Sequence, residues 1–326
     1  MTSSSDQTPD LRPTKARDTI ETARTTAGGI GAYARALVGV EVECVRAGPQ
    51  VASTEVVTVT NDRFTFGAGR TGFPMFSRTT IPDDAIVLLS VRAGGAGNRW
   101  CEIDLSPGLA LVHGPESEHI SRSQPGLEFA YAISKIKQIE AFAEQHGIDV
   151  EMPARGEGYL LPTNADTALV GSAFAGLADV AVRSEHPSLA RIDLVMLSLV
   201  LALRRHDSPR RIGGGRRIDS RHVVRACIAY ADSIDRIPSI GELCLAAHVS
   251  ERRLREAFST EFDTPPTQFF RTWALDRAHR RLREIEAGDL TVTEVATRLG
   301  FDHLGRFAGR YRSIYGESPS ETLAAT

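Results

Sequence analysis

Four charged side chains crowd one short stretch of the chain: Arg252, Arg253, Arg255 and Glu256. Leu254, Ala257 and Phe258 stand among them at the i, i+3, i+4 spacing of a single helix face. A helix from a cap at Ser250 to Phe262 buries these three and turns the charged four outward. A guanidinium is planar, permanently charged and forked, which matches guanine O6 and N7 as well as phosphate oxygens. A second cluster repeats the theme. Leu304, Phe307, Ala308 and Tyr311 mark the inner face of a helix capped by Asp302, and His303, Arg306, Arg310 and Arg312 lie elsewhere on it. Either cluster alone is also what many helical hairpins show.

The elements that must aim these groups are legible just upstream of them. Ser239 with Glu242, and Thr291 with Glu294, have capping-box spacing, so a helix starts at each. The two starts lie 52 residues apart. Leu243, Ala246 and Ala247 in the first helix, and Val295, Ala296 and Leu299 in the second, give small apolar faces that admit a close neighbour. His248-Val249 and Gly300-Phe301 supply the turns. A short helix, a tight turn and a second helix with exposed arginine is the helix-turn-helix layout, and its second helix fits a major groove about 12 Å wide. The spacing predicts one unit over residues 239–262 and another over 291–315, joined by a helix from about Pro266 to Glu286. Tyr315 to Pro319 reads as a helix stop through which the chain leaves.

These residues resemble a known family. SIGELCLAAHVSERRLREAFSTEFDTPPTQFFRTWALDRAHRRL and TVTEVATRLGFDHLGRFAGRYRSIYGESPSE, both within His222 to Thr326, are similar to the DNA-binding domain of AraC/XylS-type transcription regulators. The resemblance implies a seven-helix domain whose two recognition helices enter adjacent major grooves on one DNA face, about one helical turn (~34 Å) apart. It places base reading on Arg252, Arg255 and Glu256, with Arg253 nearby. In the second unit it falls on Leu304, Gly305 and Gly309, with His303 and Arg306 nearby. Gly305 and Gly309 depart from the polar or basic residues usual there. Ala274 replaces a usual Arg, and Thr322-Leu323 replaces a usual Tyr-Arg. Glycine reads no base through a side chain and weakens a helix by roughly 1 kcal/mol relative to Ala. The first unit is therefore expected to dominate sequence recognition, with Arg306, Arg310 and Arg312 turned to phosphates.

From about Val40 to Tyr131 the texture is strand-like. Runs such as VEVECV, STEVVTVT, AIVLLSVR and LEFAYAI are separated by Gly, Pro, Asn and Asp, the pattern of a barrel or sandwich. This half resembles the cupin-like sensor domain of the same family. A cupin enzyme would hold a metal through a His-x-His and Glu cluster. Here His113 and His119 enclose Glu116 and Glu118 without that spacing, so a polar rim loop and no metal or cofactor are expected. Phe64, Phe66, Phe76, Trp100 and Tyr131 lie in predicted strands, as core or as the lining of a pocket for a small apolar or aromatic effector. Arg78 is a candidate partner for an effector carboxylate. The helix from Ser188 to Arg205 is apolar on nearly all sides and must be buried, against the barrel or between subunits.

The length of 326 residues fits about two domains. The predicted organisation is multidomain: a disordered tail (1–15), a β-rich cupin-like barrel (16–150), a helical packing or dimerisation segment (151–206), a basic flexible linker (207–217) and an all-α DNA-binding domain (218–326). The net charge of −3 excludes histone-like coating of nucleic acid but not a local basic face. Residues 217–326 carry 16 Arg against 16 Asp plus Glu, so DNA binding has to rest on the placement of charge. Four scattered cysteines and a polar N-terminus without the apolar core of a leader point to a reduced cytoplasmic protein. Leu194–Leu203 is half the ~20 apolar residues that span a bilayer. The expected function is DNA-binding transcription regulation, by family habit activation. It would be steered by a small molecule in the barrel, with double-stranded DNA, RNA polymerase and a second copy of the chain as partners. Control by a protein partner, or a cupin enzyme fused to DNA-binding helices, are the alternatives.

Overall fold

The computed structural model describes residues 20–27, 30–101, 103–162, 165–183, 187–204, 210–212, 220–284 and 290–325. The expected tail, 1–15, lies outside the described residues. The N-terminal half comprises β1 (Glu21–Ala27), α1 (Ile30–Ala36), β2 (Glu41–Arg46), β3 (Thr54–Thr60), β4 (Phe64–Arg70), β5 (Met75–Thr80), β6 (Ala85–Ala93), β7 (Arg99–Trp100) and β8 (Ile103–Asp104). It continues with β9 (Ala110–His113), β10 (Glu118–Ser123), β11 (Glu128–Lys135), α2 (Ile136–Gln145), β12 (Gly158–Leu160), α3 (Ala165–Val182), α4 (Leu189–Ala202) and β13 (Arg210–Ile212). The strands form two sheets, β1-β3-β4-β11-β6-β9-β12-β13 and β2-β5-β10-β7-β8.

Strand alternation decides where each side chain goes. On β6, Val87, Leu89 and Val91 enter a core shared with Leu111, Phe129 and Tyr131 of the same sheet and Met75 of the smaller one. Ile86 and Leu88 point the other way, into a core shared with α3 and α4. A strand buried on both faces reads as an unbroken apolar run, which is how AIVLLSVR appears in the sequence.

The all-round apolar helix is α4. Its Ile192, Val195, Met196, Leu199 and Val200 are at most 1% exposed, packed with α3 and the larger sheet. Of the two expected burials, packing on the barrel is the one present in the chain. Three residues of the expected linker are strand: β13 pairs antiparallel with β12, Gly158 opposite Ile212. The rest of 207–217 lies outside the described residues.

Seven helices follow among the described residues: α5 (Ser220–Ile234), α6 (Ile240–Ala247), α7 (Glu251–Phe262), α8 (Pro266–Glu284), α9 (Val292–Arg298), α10 (Leu304–Tyr315) and α11 (Pro319–Ala324). Both predicted capping boxes are formed, Ser239 with Glu242 and Thr291 with Glu294. One expectation is corrected: the cap of α10 is His303, not Asp302. The expected stop is present, with Gly316 as a left-handed cap. A further helix follows it, because Ser318 and Glu321 form a third capping box with Pro319 in the first turn.

Candidate nucleic-acid interface

Each helix-turn-helix unit is built by local chemistry. In the first, α6 ends where His248 takes a left-handed φ of 52°, and the Ser250 hydroxyl accepts from the Arg253 amide to start α7. In the second, Gly300 supplies a φ of +88° at the turn, where glycine adopts the conformation without strain. Leu254, Ala257 and Phe258 are fully buried beneath α7.

The predicted readers of α7 separate into two groups. Arg252 and Arg255 are exposed, with side-chain accessibilities of 90% and 56%. They are held along the helix surface by acids one turn away: Arg252 Nε lies 2.9 Å from Glu256, and Arg255 Nε donates to Glu251 at 3.0 Å. Exposed pairs of this kind are worth at most about 1 kcal/mol, so nucleic-acid acceptors can replace the carboxylates at small cost. Arg253 turns back instead. Its guanidinium donates to the Ser220 hydroxyl at 3.3 Å and braces the start of α5.

On α10, Phe307, Tyr311 and Ile314 are buried, and His303, Arg306 and Arg310 are exposed. Leu304 is 40% exposed, which corrects its expected inward position. A Cβ at Gly305 or Gly309 would meet nothing within 4 Å, so both glycines leave open the outer face of this helix.

The six residues expected around an effector do not share one pocket. Trp100 and Tyr131 line a small barrel cavity of about 60 Å³, and the Tyr131 hydroxyl donates to the Val38 carbonyl at 3.0 Å. Phe64 and Phe66 belong to the core on the far side of the sheet, where Phe66 meets Phe174 of α3 edge-on at 5.4 Å. Phe76 and Arg78 line a cavity of about 420 Å³ between the barrel and the helical domain, with Phe269 and Trp273 of α8 opposite. Arg78 is paired with Glu43 at 2.6 Å.

His113 and His119 are corrected from rim to interior. Both are at most 2% exposed, their ring centroids lie 3.7 Å apart, and His119 Nδ1 is 3.6 Å from the Cys101 sulfur. Burial pushes the His113 imidazole down to about 3 and carries His119 in the same direction. Among the described residues no group of three or more His, Cys, Asp or Glu could hold a metal ion. Glu116 pairs with Arg155, and Glu118 with Arg225 of α5 at 3.5 Å.

Sequence reasoning missed the contacts that tie the barrel to both recognition helices. Arg122 of β10 sits at the C-terminal end of α7, 3.2 Å from the Phe262 carbonyl and 3.0 Å from the Asp263 carboxylate. A cation there complements the helix dipole. Arg46 of β2 is 8% exposed and lies over the Tyr315 ring at the end of α10, 5.3 Å from its centroid. The available signal was an arginine inside each of two strand-like runs, VEVECVR and HISRS.

Two helix-turn-helix units on one linking helix, each with an outward basic face, define a DNA-binding domain of a transcription regulator. Residues 243–325 match the family model for a helix-turn-helix domain. The XylDLEGF operon transcriptional activator of Pseudomonas putida is 37% identical over 92 residues, 28% of this chain and 29% of that protein. The "Probable thc operon regulatory protein" of Rhodococcus erythropolis is 32% identical over 102 residues, 31% of each chain. This chain thus aligns with about a third of the length of these curated relatives. A solved structure from Rhodopseudomonas palustris CGA009, titled as "a probable AraC family transcriptional regulator", is 32% identical over 32% of this chain and 96% of that one, with a TM-score of 0.29. Residues 243–325 are thus similar to the DNA-binding domain of AraC/XylS-type transcription regulators.

Proposed function

We propose that this regulator binds double-stranded DNA through α7 and α10 together, and that a small effector between barrel and helices changes how firmly it does so. The observation that carries the reading is the seat of the barrel, whose Arg122 and Arg46 touch the ends of both recognition helices. A ligand that prefers one docking of the barrel shifts the population of DNA-competent arrangements by its differential affinity.

We take the interface cavity, and not the barrel interior, as the effector site. Drug-sized ligands occupy about 300–1,000 Å³; the interface cavity, at about 420 Å³, reaches that size, whereas the barrel cavity, at about 60 Å³, does not. The interface cavity joins Phe76, Phe269 and Trp273 to charged groups such as Arg78, Arg277 and Asp232, which supports a small molecule with both an apolar and a polar part. The relative named as a transcriptional activator supports activation, and RNA polymerase is the partner that such a role would engage. The exposed Leu189 and Val182, at the ends of α4 and α3, support pairing of two copies. Among the described residues no helix is long and apolar enough to cross a membrane. The proposed DNA partner is the reason to expect the protein in the cytoplasm.

The test compares DNA affinity of the intact chain with and without a heat-stable, low-mass cell fraction, in wild type and in Gly31→Phe, which fills the interface cavity. The reading expects a shift of about 5-fold or more in wild type and none in the variant. An unchanged wild type, or a shift that survives the filled cavity, overturns it.

A further inference from the structure

The cavity between barrel and helices holds a buried acid with spare hydrogen-bonding capacity. Asp276 of α8 lines the cavity and is fully buried, yet among the described residues neither of its carboxylate oxygens has a hydrogen-bond partner. Two donors stand near without completing a bond. They are the Arg280 guanidinium, an ion pair whose Nε is 3.1 Å from Oδ2, and the Arg46 backbone amide. Burial pushes the Asp276 carboxyl above its ordinary pKa, and these two offset only part of that. A buried carboxylate in this condition costs free energy that a matched donor recovers.

The cations that line the same cavity are committed elsewhere. Arg78 is paired with Glu43 at 2.6 Å. Arg277 holds Asp232 at 2.8 Å and Asp235 at 3.0 Å, and it lies over the Trp273 ring, 4.6 Å from the centroid. An anionic guest would have to strip one of these guanidiniums from its carboxylate. A cationic guest needs only Arg280, whose side chain is 51% exposed, to turn into water. Phe76, Phe269 and Trp273 add aromatic rings to the lining, and such rings both attract ammonium groups and pack on apolar bodies.

We propose that the interface cavity takes a small molecule with a protonated amine on an apolar body, the ammonium on Asp276 and the body against Phe76, Phe269 and Trp273. The inference rests on the interface cavity being the effector site and names the chemistry of its occupant. An ammonium on Asp276 takes the place of the carboxylate first expected at Arg78. Because Asp276 belongs to the linking helix and Phe76 to the barrel, such a molecule fastens the barrel to the helix between the two helix-turn-helix units.

Calorimetric titration of the intact chain at neutral pH compares three probes of similar shape: phenethylamine, phenethyl alcohol and phenylacetate. The amine is expected to bind about 10-fold or more tightly than either of the others. Asp276→Asn removes the charge at nearly constant shape; it should cost the amine about 10-fold or more and spare the alcohol. Arg280→Gln removes the competing guanidinium at a half-exposed site and should strengthen amine binding, a result that does not depend on Asp276→Asn folding. Gly31→Phe should abolish amine binding. If the DNA-affinity shift produced by the low-mass fraction survives Gly31→Phe, the effector reading falls and the ammonium site with it. If that shift needs the cavity, the ammonium site alone is overturned by amine binding that survives Gly31→Phe, by tighter binding of phenylacetate, or by binding of none of the three probes. It is equally overturned by an amine affinity unchanged in Asp276→Asn or, where that variant does not fold, not raised in Arg280→Gln.

Discussion

The Phe76 ring of β5 lies 4.9 Å from the Phe262 ring at the last residue of α7. A strand of the barrel and helix α7 thus share one hydrophobic core, completed by Ile120 on the barrel side and Phe269 on α8. Close-packed cores are bistable and not continuously deformable, so the proposed effector control would act on α7 as a shift between dockings.

Beside that contact, Arg122 bonds the Phe262 carbonyl and the Asp263 carboxylate. Arg122→Ala removes a charged donor from the end of α7 while leaving the Phe76 and Phe262 packing in place. Amide hydrogen exchange at the C-terminal turn of α7 is expected to quicken about 5- to 10-fold, which corresponds to ~1–1.5 kcal/mol, the upper part of the ordinary range for a net hydrogen bond. Unchanged exchange there would remove Arg122 from the docking account.

The two units should read bases unequally. Arg255 sits on an exposed face with side chains able to reach bases, whereas α10 presents Gly305 and Gly309 on its outer face. Across base-substituted duplexes, Arg255→Ala is expected to relax preference at one position by about 1–3 kcal/mol. Arg306→Ala should weaken all duplexes alike. A larger loss of preference from Arg306→Ala would reverse this order.

The glycines also set a stability expectation. Nothing lies within 4 Å of a Cβ at Gly309, so Gly309→Ala gains helix propensity without a clash. Thermal or urea unfolding should show a gain of about 0.5–1 kcal/mol. A loss would mean that the helix needs glycine there.

Acid should act on two separate sets of groups. Burial lowers the folded-state values of His113, to about 3, and of His119. Below the unfolded value of ~6.5 the unfolded chain takes up protons that the folded barrel refuses. Stability therefore falls as pH drops from about 6.5 towards 3, and His113→Leu should flatten that slope. The capping glutamates respond lower down. Arg236, then the Ser239 backbone and hydroxyl, hold the Glu242 carboxyl well below its ordinary range, and the Thr291 backbone lowers Glu294. Their contribution is present above the unfolded value of ~4.3 and is lost as pH falls through the folded ones. Urea melts from pH 7 to 3, read in wild type and His113→Leu, check both; identical slopes between pH 6.5 and 4.5 would contradict the histidine assignment.

The helical domain was legible because its signals are local. Capping boxes, turn residues and the 3.6-residue period lie within a dozen residues of one another, so both units and the join at Pro266 follow from the sequence. Alternation in the barrel predicted strands but not which face of the larger sheet meets α3 and α4. Phe64 and Phe66, which the sequence leaves open as core or as pocket lining, are core. Nothing local marks Arg46 and Arg122 as partners of α10 and α7, because those contacts span long sequence separations. His113 was missed for the same reason: a histidine at a strand end reads as surface until the neighbouring sheet covers it.

The pairing of α7 and α10 as joint readers of duplex DNA is tested most directly by selection from a randomised duplex pool with the intact chain at low ionic strength. The account predicts enrichment of a two-part sequence whose halves lie about one helical turn, ~10 base pairs, apart, with base preference strongest in the half facing α7. A correctly folded chain that enriches no sequence, or a site of one half only, would contradict it.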